Sequence, residues 1–168
     1  MKLNHYRKEW SGWLPRALDA LSQDPPDYSA VMPDMPLPAR VDPAAAKIAG
    51  PLKVALLTTS GAYDARSQAA FAASAIVGDA THRTFDLQTP DEAIKFAHEH
   101  YDHSAALQDR ESVLPRRTLR ALGIEVTRNV VSWSGFLLDW PTFIEATIPQ
   151  IVARVHADGA NAALLVPI

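Results

Sequence analysis

Leu52–Thr59, LKVALLTT, and Asn161–Pro167, NAALLVP, decide the fold. Each is a short run of aliphatic and small residues, closed in one case by Ser60-Gly61 and in the other by Pro167. Runs of this kind read as buried strands of a parallel sheet, whose two faces are both covered. The sequence between them alternates strand and helix signals. Arg83–Leu87 and Ile124–Val131 are further strand candidates, and Pro115–Leu122 is a short helix closed by Gly123. Asp139 suits a helix N-cap with Trp140 and Pro141 in the first turn. Ile144, Ile148, Ile151, Val152 and Val155 then share one apolar face of a helix that Pro149 should bend and Gly159 should end. Gln68–Val77 is alanine-rich and predicts a helix stopped by Gly78. Thr89-Pro90-Asp91-Glu92 predicts another, running to about Ala97: a cap, a first-turn proline and two acids that complement the helix dipole. Strands alternating with helices define an α/β domain, a layered parallel sheet of Rossmann-like or flavodoxin-like type, over residues 51–168.

Two segments precede that domain. In residues 1–23, Tyr6, Trp10, Trp13, Leu14, Ala17, Leu18 and Leu21 recur at helical spacing and predict an amphipathic helix, which Pro15 should kink or divide. Residues 24–50 hold Pro25, Pro26, Pro33, Pro36, Pro38 and Pro43 with little periodicity, and read as an extended arm or linker. Met32, Met35 and Leu37 suggest that the arm lies along a surface.

Composition excludes several classes. A net charge of −3 offers no electrostatic footprint for nucleic acid. No apolar run approaches the roughly 20 residues of a membrane helix. The N-terminus, MKLNHYRKEWSGW, has no apolar core of a secretory signal. A cytoplasmic protein is expected. The 168 residues include no cysteine, so they hold no disulfide, no thiolate metal ligand and no thiol nucleophile.

The densest polar cluster is His98-Glu99-His100-Tyr101-Asp102-His103, which holds three of the six histidines. Imidazole and carboxylate are good metal ligands. On a helix His100 and His103 share a face without His98, and on a strand His98 and His100 share one without His103, so all three converge only in a loop. A loop that binds substrate or handles protons is the second reading, and a solvated helix end the third. Thr58-Thr59-Ser60-Gly61 ends the first strand and offers hydroxyls and backbone N–H groups to a ligand. It lacks the glycines of a dinucleotide fingerprint and the lysine of a P-loop. Arg83, in Gly78-Asp79-Ala80-Thr81-His82-Arg83, is either a fork for a carboxylate or half of a surface ion pair. Ser132, Ser134 and Gly135 form another candidate turn, and Trp133, Phe136 and Trp140 read as core.

Five segments taken in order are similar to the glycine/sarcosine/betaine reductase and D-proline reductase B-subunit family. LKVALLTTSG at 52–61 resembles its first strand, and GDATHR at 78–83 its GD-x-(S/T)-x-R segment. HEHYDH at 98–103 resembles its H-x-HYD loop. Leu114-Pro115, Arg117 and Leu119–Gly123 resemble its FPLxRLxxL stretch, and TIPQIVARVHADGANAALLVP at 147–167 its final helix and strand. The likeness spans roughly residues 51–168. Asn129 and Ser132–Phe136 depart from the family's RH-x-SFMGY, and Ser60 and Ala62-Tyr63 from its turn.

That resemblance implies a reductive cleavage of a C–N bond in a small amine or amino acid. In the family the last strand runs directly into a cysteine or selenocysteine, so the nucleophile is expected immediately after Ile168, a position a UGA codon would end if it were not recoded. A thiolate or selenolate is the attacking group. The resemblance further implies a pyruvoyl-bearing partner subunit and a homo-oligomer. It implies that His98, His100, Tyr101 and Asp102 line the substrate pocket, with Arg83 or the turn Thr58, Thr59, Ser60 and Gly61 taking a carboxylate. Two rivals remain open: a non-catalytic ligand-binding or assembly protein, and a metal enzyme built on His98, His100 and His103.

Overall fold

The computed structural model describes residues 3–37, 48, 50–99 and 101–168. It is an α/β layered fold. A 19-residue helix, α1 (Leu3–Leu21), leads the chain. Strands β1 (Lys53–Thr58), β2 (Ala62–Asp64), β3 (His82–Asp86) and β4 (Ile94–Phe96) follow, then helices α2 (Ser104–Gln108) and α3 (Arg116–Ala121). Strand β5 (Glu125–Trp133), helices α4 (Trp140–Thr142) and α5 (Ile148–Ala157), and strand β6 (Ala162–Val166) complete it. A four-stranded sheet runs in the order β3-β5-β1-β6, and a two-stranded antiparallel ribbon joins β2 and β4. Strand β1 is parallel to both β5 and β6, whereas β3 lies antiparallel on β5, so the sheet is mixed.

Alternation along β1 assigns its faces. Leu56 packs with Phe85, Ile94, Ala106, Leu114, Leu119 and Val130 on one side. Ala55 and Leu57 pack with Val131, Leu137, Phe143 and Ile151 on the other, under α5. A period of two on a strand requires this division, and it places β1, buried on both faces, at the centre. Asp139 caps α4 by accepting from the Thr142 N–H. A π-helical turn, Phe143–Thr147, joins α4 to α5 and includes the bond from Ile148 N–H to the Phe143 carbonyl. Pro149 has no N–H to give the preceding turn, and the turn just ahead of it is widened to the π form.

α1 is one helix despite Pro15. Trp10, Trp13, Ala17, Ala20 and Leu21 are buried with Val31 and Leu138, and Trp10 packs against Trp140 at 6.1 Å between ring centroids. The arm folds back on the helix: Trp13 Nε1–H donates to the Val31 carbonyl at 2.9 Å, and Met35 packs beside it. Met32 and Leu37 of the same arm are exposed. Residues 38–47, which hold Pro38 and Pro43, lie outside the described residues. No described helix is long and apolar enough to cross a membrane.

Three expectations are corrected. Residues 68–77 form turns and no helix, because tertiary partners take their backbone groups. Arg83 takes the carbonyls of Ala69 and Ala70, and Asp79 takes the Ala72 N–H; alanine's helix propensity is a weak prior against such bonds. Residues 89–97 form one 3-10 turn, Asp91–Ala93, and then β4. Ile94, with no exposed surface, pairs with Asp64 in the ribbon. Finally, Asn161–Pro167 is not buried. Strand β6 is a sheet edge paired only with β1 among the described strands, and its Leu165 is 54% exposed.

Candidate functional site

The carboxyl ends of β1, β5 and β6 converge, as they do at the ligand sites of open α/β sheets. Thr58 stands beside Ser132 of β5 and Val166 of β6 in register. Past the end of β1 the chain stays bonded to both neighbours: Thr59 N–H donates to the Val166 carbonyl at 3.1 Å and Gly61 N–H to the Trp133 carbonyl at 3.0 Å. The Thr59 hydroxyl accepts from Ile168 N–H at 2.7 Å, so a side chain extends the β1–β6 ladder by one bond.

Hydroxyls fill this end of the sheet. Thr58, Ser60 and Ser132 have no exposed surface, and Ser134 is also buried. Thr58 Oγ1 donates to Ser60 Oγ at 3.0 Å and accepts from Ser60 N–H at 3.2 Å. Ser134 Oγ donates to the Phe136 carbonyl. Ser132 Oγ is buried with no hydrogen-bond partner among the described residues.

Ala97, His98 and Tyr101 lie across the hydroxyls. Ala97 N–H donates to the Gly61 carbonyl at 3.0 Å and the Tyr101 hydroxyl to the Ser60 carbonyl at 3.2 Å. His98 is 4% exposed. The Tyr101 ring lies edge-on to it at 5.1 Å and tilted to His103 at 4.4 Å. His103 Nε2 reaches the His98 carbonyl. Gly61 makes the close approach possible: its φ of +67° is one that side chains avoid, and a Cβ there would lie 2.5 Å from the Ala97 carbonyl oxygen. Burial pushes the Tyr101 phenol up to about 12.

The sequence-derived candidates divide. Thr58, Thr59, Ser60, Gly61, His98 and Tyr101 come together. Asp102 does not join them: it is exposed and accepts from the N–H and hydroxyl of Ser104, opening α2. Those two bonds hold its carboxyl below the usual range. His100 lies outside the described residues. His98 and His103 belong to no group of three metal-ligating side chains among the described residues.

Arg83, the register partner of Ser132 across β3 and β5, has its donors engaged within the protein. Its Nε donates to the Ala69 carbonyl, Nη2 to the Ala70 carbonyl, and Nη1 to Thr81 Oγ1 and the His82 carbonyl. It stacks on Phe71 at 4.2 Å and faces Asp79 at 3.7 Å. Burial opposes the charge of Asp79, yet bonds from Thr81 and Ala72 and the nearby guanidinium hold its carboxyl low. The GDATHR segment is thus a clasp that fastens the irregular loop at 66–81. Burial first, and then Arg83 and Arg154, push the neighbouring His82 imidazole down.

Sequence reasoning left Ser132, Ser134 and Gly135 as a separate turn. The register Thr58↔Ser132 brings them to the first turn, and no local pattern carries that register. A Cβ built on Gly135 would lie 3.0 Å from His98 Nε2, 3.1 Å from the Ile168 carbonyl oxygen and 3.2 Å from Thr59 Oγ1.

The fold is that of an α/β layered protein, with buried hydroxyls and the His98 imidazole gathered at the carboxyl end of its parallel strands. No family model, no curated protein and no solved structure matches the chain. The family likeness is therefore carried by its five sequence segments alone.

Proposed function

We propose that the chain is the front part of a reductase-like protein that cleaves a C–N bond of a small amine or amino acid, with its ligand held at the carboxyl ends of β1 and β5. One observation supports this reading above the rest. The main chain at Ile168 lies beside Thr59 and faces the same point over Gly135 as His98 Nε2. A residue following Ile168 sets out from that point, which is where the resemblance calls for a cysteine or selenocysteine. Such a group supplies the nucleophile, and a pyruvoyl group on a partner subunit supplies an anchor for the amine.

The residues of this chain bind and orient. Thr58, Ser60 and Ser132 form a buried hydroxyl layer beneath the ligand's place, and Ser132 Oγ has no partner among the described residues. The Thr59 hydroxyl is the donor for a carboxylate, since Arg83 and the turn's N–H groups at Thr59, Ser60 and Gly61 are already bonded within the protein. His98, buried beside them, is the proton-handling group. The reading carries with it a cytoplasmic location and a homo-oligomeric assembly.

Reading the codons that follow Ile168 in the native gene, with the intact mass of the native protein, tests the proposal. A frame that continues through UGA or a cysteine codon, a mass above that of 168 residues, and dithiol-dependent loss of an amine group from a small substrate are expected. A native protein ending at Ile168 removes the thiol mechanism and leaves ligand binding.

A further inference from the structure

We infer that Gly135 is a positioning residue: its bare α-carbon lets the buried His98 imidazole, the Thr59 hydroxyl and the main chain at the end of β6 close on one point. The inference rests on the site proposed above and adds a residue to it. Gly135 differs from the other glycine at the site. Gly61 has a φ of +67°, so its backbone alone demands glycine. Gly135 is not among the glycines with positive φ, and it is exposed. Alanine is conformationally allowed there, so only contact argues against it.

The contact is specific. A methyl on Gly135 would meet an imidazole nitrogen at 3.0 Å, a carbonyl oxygen at 3.1 Å and a hydroxyl oxygen at 3.2 Å. All three are polar, and all three distances are short for carbon. The imidazole has little room to retreat. Tyr101 lies edge-on to it at 5.1 Å, and the His98 Cβ is itself 3.1 Å from the point where a Gly61 side chain would start. The Ile168 side is freer: Ile168 is 42% exposed and is held by its N–H bond to Thr59 Oγ1. A methyl at 135 therefore separates the end of β6 from His98. In the proposed function those are the nucleophile's point of departure and the proton-handling group.

The test uses the 168-residue chain and needs no turnover. In Gly135→Ala, ring-nitrogen NMR signals of His98 shift and the Ile168 amide exchanges with solvent several-fold faster. Gly12→Ala, on α1 with nothing within 4 Å of the new methyl, moves neither. Thermal unfolding of the pair closes the cycle: Gly135→Ala lowers Tm in the parent chain and much less in a His98→Ala background, since contacting residues couple. Unchanged His98 and Ile168 signals in Gly135→Ala would overturn the inference. So would a Tm loss, or a failure to fold, that is the same with and without His98. The reductase reading fails on different data, the downstream codons and amine release, so either can fall alone.

Discussion

Residues 78–83 and 98–103 carry the same kinds of side chain and are put to opposite uses. Each mixes histidine, an acid and hydrogen-bonding neighbours, and each invites a ligand-binding reading. In the first, Arg83 stands on edge strand β3, and the neighbouring loop lies within reach of its guanidinium, which takes two loop carbonyls, a ring face and Asp79. In the second, the chain has just left a two-stranded ribbon and crosses the carboxyl ends of β1 and β5, where Tyr101 and His98 settle on a bed of hydroxyls. Side-chain chemistry does not separate a clasp from a site. What separates them is what each side chain meets: Arg83 spends its donors on the loop at 69–70, whereas His98 and Tyr101 pack over Ser60 and Gly61.

The largest expected effect breaks the clasp. Arg83→Ala should cost about 3 kcal/mol, since it removes a mostly buried charge and leaves Asp79 and three carbonyls without it. Urea unfolding measures this. Arg83→Lys should restore less than half, because a point charge cannot span the same acceptors. A loss below about 1 kcal/mol would put Arg83 back among the ligand-binding candidates.

Gly61→Ala comes next, at about 2–3 kcal/mol, combining left-handed strain with overpacking against Ala97. It should also lift Ala97, His98 and Tyr101 from the sheet, so that the Tyr101 phenol titrates nearer its ordinary pKa of about 10.

Tyr101 itself gives a smaller effect with a definite sign. Its folded pKa, about 12, is raised by burial above the ordinary value of 10.0. The neutral phenol thus stabilises the fold fully below pH 10, and that contribution is lost as pH rises through 12. Because the group is half-buried, the loss should be about 1 kcal/mol, well under what the shift implies without screening. Denaturation followed between pH 9 and 12 would show it, and Tyr101→Phe should abolish that slope while costing about 1 kcal/mol at neutral pH through the lost bond to Ser60.

Asp102 should matter least. Its lowered carboxyl supports the start of α2 above its unfolded pKa, and the support is lost as pH falls through the folded value. Asp102→Ala should speed exchange of the Ser104 amide without disturbing His98. A large effect on His98 would instead bring Asp102 into the site.

Much of this architecture was legible in the chain. Strands at 53–58, 82–86, 125–133 and 162–166 and helices at 116–121 and 140–157 fall where apolar period and Gly, Pro or Asp punctuation put them. These signals are local, so a short window reports them. Residues 68–77 and 89–97 misled because partners distant in sequence, Arg83 for one and the β2 ribbon for the other, claimed their backbone bonds. The exposure of β6 was invisible too, since an apolar run says nothing about whether a strand stands at the centre or the edge of a sheet. Within the site, Thr58–Gly61, His98 and Tyr101 were readable as chemical types, while Ser132 and Gly135 joined them only through inter-strand register.

By itself, then, the sequence determined an α/β layered protein with apolar strands, a tryptophan-bearing helix, two polar segments capable of chemistry and no thiol, because residue type and spacing act over a few neighbours. Tertiary structure alone decided which polar segment lies over the strand ends, that the donors of Arg83 are spent on the fold, and that a single bare α-carbon at Gly135 lets three strand ends and a histidine meet. Those outcomes depend on which strands pair and in what register, and a one-dimensional pattern does not carry that information.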